Sequence, residues 1–234
     1  VDSVMPVAKF AVSAGAKQFL FVSSAGMYVP TPTPPHLEGD AVKESAGHAQ
    51  VEAMLKTMPL AMSSFRPQYF TGYGNNKDCE EYFFDRLVRG RPVCVPGSGD
   101  QLSVVAHAED VATMMAAAVG NDAAAGQIFN AVTDKAVTLN GMVELCAQAA
   151  GVPANIVNYD PKAIDGVEVK KAFPFRPIHF YSYPQNALEL LDWKPKHNLA
   201  ADLAERFAFY KASGRADAQM TFETDDKILS QVRR

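Results

Sequence analysis

Apolar positions Val4, Val7, Ala8, Ala11 and Val12 recur at helical spacing, Gly15 stops that helix, and FLFVSS follows as an unbroken apolar run. Helix, turn and apolar strand in this order predict a parallel sheet covered on both faces, so the chain is expected to be α/β. PTPTPPH, between Tyr28 and Glu38, reads as a proline-restricted loop, with a helix expected over Ala46 to Thr57 and a short strand at MSSFRP. An amphipathic, aromatic-bearing helix is expected from Asp78 to about Val88, then a loop, short strand and turn in RGRPVCVPGSG. Asp110 to Val119 reads as a helix rich in Ala and Met, and IFNAVT as a strand. TLNGMVELCAQAAG offers Thr138 as an N-cap and Gly151 as a stop, and IVNYD is a further strand. NALELLDWKPKHNLAADLAERFAFYKASG predicts a short helix, a turn around Pro195 and a long closing helix.

A doubly wound nucleotide-binding sheet opens with a strand and a glycine-rich phosphate turn, yet no G-x-x-G-x-x-G or G-x-G-x-x-G follows a strand in this sequence. The N-terminal half of such a sheet is therefore expected to be absent from this chain, which reads as a portion of a longer protein. Residues 1–75 are expected to form the C-terminal half of a Rossmann-like doubly wound parallel sheet. Residues 76–234 are expected to form mainly a smaller C-terminal α/β substrate-type domain, with segments around 101–135 returning to the sheet.

With 234 residues, 48% hydrophobic and 21% charged, the chain can bury a sizeable core, so disorder is not expected. No apolar run approaches the ~20 residues of a transmembrane helix, so no membrane insertion is expected. The first residues carry structural periodicity rather than the pattern of a secretory signal, and are expected to be mature domain. Cys79, Cys94 and Cys146 are too few and too scattered for a disulfide framework or a zinc site, and read as apolar thiols in a reducing compartment. A net charge of −4 and a pI near 5.7 exclude a protein held to nucleic acid by its whole-surface field, so any RNA contact needs a local patch of Lys and Arg.

FLFVSSAGMY, SSFRPQYFTGYG, RGRPVCVPGSGDQ, HAEDVA, GQIFNAV and LDWKPKHNLAADLAE, in this order, resemble the extended short-chain dehydrogenase/reductase family, and cover nearly the whole chain. GNNKDCEEYFFDRLVRGRP, KKAFPFRPIHFY and the terminal FETDDKIL are similar to its plastid stem-loop-binding subfamily. That resemblance implies an RNA-binding, ribosome-associated protein of the chloroplast stroma, with divalent-metal-dependent endoribonuclease activity described for members. It also implies self-association or an oligomer with a related subunit.

An active family member pairs a Tyr with a Lys four residues later, which lowers the phenol pKa for proton transfer during hydride transfer. Ser24 occupies the family's Ser position, and aligning Glu52 with its helix glutamate places Glu44 at the Tyr and His48 at the Lys. A carboxylate and a mostly neutral imidazole supply neither the phenol nor the permanent charge, so conventional NAD(P)-dependent chemistry is not expected. Tyr28 and Tyr69 are alternative phenols with a structural reading beside the functional one. Ser103 stands near the Arg with which many sugar-nucleotide epimerases clamp a diphosphate. Arg66 lines the family's cofactor cleft or makes a structural ion pair, and the sequence leaves both open.

Phosphates call for exposed cations and unpaired bases for aromatic faces. Two stretches combine them: Lys170, Lys171, Phe173, Phe175, Arg176, His179, Phe180 and Tyr181; and Tyr82, Phe83, Arg86, Arg89 and Arg91. In the second, Tyr82, Phe83 and Leu87 share helical spacing and read as core before they read as a binding surface, leaving Arg86 and Arg89 on a solvated face. Cleavage through Mg²⁺ would need carboxylates, for which Asp100, Glu109 with Asp110, and Asp225 with Asp226 are candidates; acidic pairs also simply favour helix starts. Two other functions fit the same scaffold: an NAD(P)-dependent nucleotide-sugar epimerase or reductase with altered catalytic groups, and a structural assembly subunit.

Overall fold

A computed structural model describes residues 2–74 and 79–232. In chain order its helices and strands are α1 (Val4–Ser13), β1 (Gln18–Val22), α2 (Gly47–Lys56), β2 (Ala61–Pro67), β3 (Tyr69–Thr71), α3 (Cys79–Leu87), β4 (Val93–Pro96), β5 (Leu102–Ser103) and β6 (Val105–His107). They continue with α4 (Ala108–Ala118), β7 (Ile128–Ala131), β8 (Val137–Thr138), α5 (Leu139–Ala150), β9 (Ile156–Tyr159), α6 (Val169–Ala172), α7 (Gln185–Leu190), α8 (Leu199–Ala212) and α9 (Glu223–Val232). The chain divides into two compact units: Val1–Tyr69, Ala106–Asp134 and Tyr181–Lys196 form the first, and Phe70–Val105, Lys135–Phe180 and His197–Arg234 the second.

In the first unit β1, β2 and β7 form a parallel sheet with β2 in the middle, in register Gln18↔Ala61 and Ser64↔Ile128. The helical spacing of α1 and α2 delivers Ala8, Val51 and Leu55 onto Met62, with Val4, Phe19 and Phe21 packed around them. Ser63 and Ser64 lie buried in the central strand because their hydroxyls donate to the Ala124 carbonyl and the Glu52 carboxylate, each at 2.7 Å. Among the described residues β1 pairs with β2 alone, and Val22 is 50% exposed, with Val7 and Phe10 of α1 57% and 72% exposed.

Residues 181–196 belong to this unit, although the sequence groups them with the C-terminal domain. The His36 N–H donates to the Tyr181 carbonyl, the Tyr183 N–H donates to the His36 carbonyl, and the Trp193 indole donates to Thr113 Oγ1 at 3.0 Å.

The second unit pairs β4 with β9 in parallel and β5 with β8 antiparallel, while α3, α5 and α8 pack on one another and α9 on β4. Thr138 caps α5 by accepting from the Gly141 N–H at 2.9 Å, and Gly151 ends it in the left-handed conformation at φ 68° that glycine adopts without strain. Asn198 caps α8 in the same way. The helix expected from Asp78 runs Cys79–Leu87, with Asp78 itself outside the described residues; that expected from Asp110 begins at Ala108, capped by His107. Cys94 and Cys146 are buried free thiols and Cys79 is half-buried. Among the described residues no helix is long and apolar enough to cross a membrane.

Candidate functional site

Open parallel sheets place ligands at the carboxyl ends of their strands. In the first unit that end is filled by the protein's own polar side chains. Arg66, near the end of β2, donates from Nε and Nη2 to the two carboxylate oxygens of Glu52 on α2, at 3.1 and 2.6 Å. Its Nη1 donates to the Tyr28 phenol at 2.9 Å and to the Glu38 carbonyl at 3.2 Å. Tyr28 then donates to Asn130 Oδ1 on β7 at 2.8 Å, and stacks on His36 with ring centroids 4.7 Å apart. The Asn130 and Asn186 N–H groups donate to Glu38 Oε1.

All of these groups except the half-buried Asn186 are buried, so their ionisation is set by partners as well as by desolvation. Burial pushes Glu52 up, but the bonds from Arg66 and Ser64 outweigh it and hold its pKa below the usual value. Glu38 receives only partial compensation, and burial leaves its pKa raised. Burial drives the Tyr28 phenol up to about 12 against the lowering effect of Arg66, so near neutral pH it is a neutral donor with both sides of its oxygen engaged.

The three family positions are placed apart from this network. Ser24 caps a short turn, its Oγ accepting from the Gly26 N–H at 3.0 Å. Glu44 is exposed, and His48 lies exposed on α2 with its ring 6.3 Å from that of Phe21. Among the described residues no hydrogen bond joins Ser24, Glu44 and His48. Tyr69 is half-buried in β3, and Ser103 is buried in β5 with no partner for its hydroxyl among the described residues. Of the carboxylates, Asp110 is buried and accepts from the Lys196 N–H at 2.9 Å, Glu109 is exposed in the first turn of α4, and Asp100 is exposed in the second unit.

In the second unit the basic and aromatic stretches separate by burial. Lys170 and Lys171 on α6 are exposed; Lys171 pairs with Glu168 at 3.0 Å, both ends open to water. Arg176 lies over the Phe180 ring at 4.0 Å, and exposed His179 accepts at Nδ1 from the Leu102 N–H. Phe173, Phe175 and Phe83 are buried against one another and Tyr181 is half-buried in the first unit. Arg86 and Arg89, expected on a solvated face, are turned to the protein. Arg86 donates to both oxygens of Asp225, at 2.8 and 3.2 Å, and lies 3.4 Å from the Tyr82 ring centroid. Arg89 donates to Asp85, Arg215 and Ala218 carbonyls, and Arg91 pairs with Asp226. Lys227 of α9, which local composition did not single out, lines the same cleft as Lys171. Its signal is tertiary, since 56 residues separate the two in sequence.

Residues 1–131 match the model of the NAD dependent epimerase/dehydratase family. The chain belongs to that family. Within this epimerase/dehydratase family it is 39% identical over 218 residues to the chloroplast stem-loop binding protein of 41 kDa b of Arabidopsis thaliana, which joins it to the stem-loop-binding branch. The match takes in 92% of the chain and 57% of that relative, so the chain spans somewhat over half of the relative's length. Two solved family structures show the fold: the epimerase of Methanothermobacter thermautotrophicus, with TM-score 0.71 and 17% identity over 91% of this chain and 64% of that one, and the UDP-glucose 4-epimerase of Thermotoga maritima, with TM-score 0.69 and 18% identity over 88% and 67%. The Rossmann-like α/β class expected from the sequence therefore stands.

Proposed function

We propose that this chain is part of a chloroplast RNA-binding protein that uses an epimerase/dehydratase scaffold without its hydride chemistry. The observation that carries the reading is the 39% identity to a relative named for stem-loop binding, spread over 92% of the chain. The geometry supports it from the other side. A reductase needs a phenol poised beside a permanent cation at the cofactor, whereas here Glu44 and His48 are exposed, Ser24 caps a turn, and Tyr28 is locked between Arg66 and Asn130. These residues do not fit the role NAD(P) would require of them.

Lys170 and Lys171 supply exposed positive charge for phosphate, with Arg176 and His179 on the same stretch; Arg86 and Arg89 serve instead to hold α3. Association with the ribosome, self-association or pairing with a related subunit, and Mg²⁺-dependent cleavage of RNA belong to the same proposal.

Binding of the whole protein to a structured chloroplast RNA across a salt series tests it, with Lys170→Ala/Lys171→Ala and an NAD(P) titration alongside. Binding should weaken steeply with salt, and the variant should reduce the slope of log K against log salt by roughly one for each phosphate that it no longer neutralises. NAD(P) binding without RNA affinity would return the chain to the enzymes of its family.

A further inference from the structure

We propose that Tyr73 and Phe209 of the second unit form a stacking site for an unpaired base, an inference that rests on the RNA-binding function proposed above. Tyr73 is 58% exposed and Phe209 45% exposed, and the two rings meet edge to face with centroids 5.5 Å apart at 89°. Leaving two large rings in water forgoes the free energy of burying them, so the exposed pair costs the folded state. The rings are also held in place. Arg206, one turn before Phe209 on α8, lies with its guanidinium 5.1 Å from the Phe209 centroid and 5.8 Å from that of Tyr73. Arg206 is itself buried, its Nε donating to Glu80 Oε1 at 3.0 Å. A pre-ordered aromatic surface loses little conformational freedom when a flat ligand settles on it.

The size of the surface favours a base over a protein partner. Beside Phe209 the exposed positions of α8 are Glu205, Ala208, Lys211 and Ala212, charged or small, so among the described residues of this helix Phe209 is the one large apolar side chain at the surface. A stable protein interface needs about 800 Å² per partner, whereas one base needs a single π-face. Stacking also tells an unpaired base from a paired one, because a base inside a duplex has both faces covered. The site therefore complements the lysines: Lys170 and Lys171 meet phosphate on any strand, while Tyr73 and Phe209 select the loop.

The test uses the whole protein, a stem-loop RNA carrying 2-aminopurine in its loop, and the same stem closed as a continuous duplex. Tyr73→Ala/Phe209→Ala should weaken binding of the loop RNA by about 10-fold or more, with an unchanged salt slope and unchanged duplex binding. The fluorescence change of 2-aminopurine on binding should be lost. Tyr73→Trp and Phe209→Trp should retain both, and Phe209→Leu, which keeps apolar bulk without a π-face, should weaken loop binding while melting like the parent. If loop affinity and fluorescence are unchanged in the double variant while the lysine variant still binds more weakly, stacking is overturned and the RNA function stands. Absence of RNA binding by the parent protein overturns both. Loss of a protein assembly in light scattering, with RNA affinity intact, assigns the rings to a protein partner and overturns the proposal.

Discussion

Glu52 and Glu38 sit in one buried network with opposite electrostatic consequences. Glu52 is doubly bonded to Arg66, and removing its charge leaves a buried guanidinium without its counter-ion. Glu52→Gln should therefore lower stability by about 3 kcal/mol at neutral pH in denaturant unfolding. Because its folded pKa is depressed, this contribution is present above the usual carboxylate value and disappears as pH falls through the lower folded value. Glu38 has a raised pKa, so its proton favours the folded state; that stability is present below the usual value and fades as pH rises through the raised one. Glu38→Gln keeps an acceptor for the Asn130 and Asn186 N–H groups while removing the desolvated charge, and should leave the protein at least as stable as the parent at pH 7. A drop in stability there would mean that the Glu38 charge is held favourably after all. At this scale sequence left Arg66 undecided between cleft and ion pair, since Glu52 lies 14 positions away and only the packing of α2 on β2 brings the two together.

Helices whose ends are marked by local chemistry were legible. Thr138 and Gly151 bound α5 because a side-chain cap and a positive φ act within a few residues, and no distant contact is needed to place them. Thr138→Ala should cost about 1 kcal/mol, read as a shift in the denaturation midpoint at constant m-value. The role of α9 was not legible, since its amphipathic pattern does not say which partner it meets. Fully buried Asp225 clamps Arg86 of α3, and Ile228 enters the core formed by Cys94, Tyr159, Ile164 and Ala172. Asp225→Ala should strip Arg86 of its counter-ion and speed amide hydrogen exchange in α9 well before that in α5. Equal acceleration in both helices would show that α9 unfolds only with the whole unit.

Across this chain a net charge of −4 sets the electrostatic problem for the proposed RNA partner, a polyanion. Attraction must come from a few exposed lysines rather than from the overall field, so affinity should be modest and strongly salt-dependent. Raising salt from about 50 to 200 mM should weaken binding of the whole protein to stem-loop RNA by an order of magnitude or more if even two or three phosphates are met. A salt-independent affinity would point to a binding surface built on stacking alone.

Apolar periodicity, caps and glycine stops, each a matter of near neighbours, determined from sequence the α/β class and most element positions. Whether a given cation faces water or the protein depends on residues tens to hundreds of positions away. Only the tertiary structure turned Arg86 onto Asp225, brought Lys227 into the cleft that Lys171 lines and set Tyr73 against Phe209 at the surface.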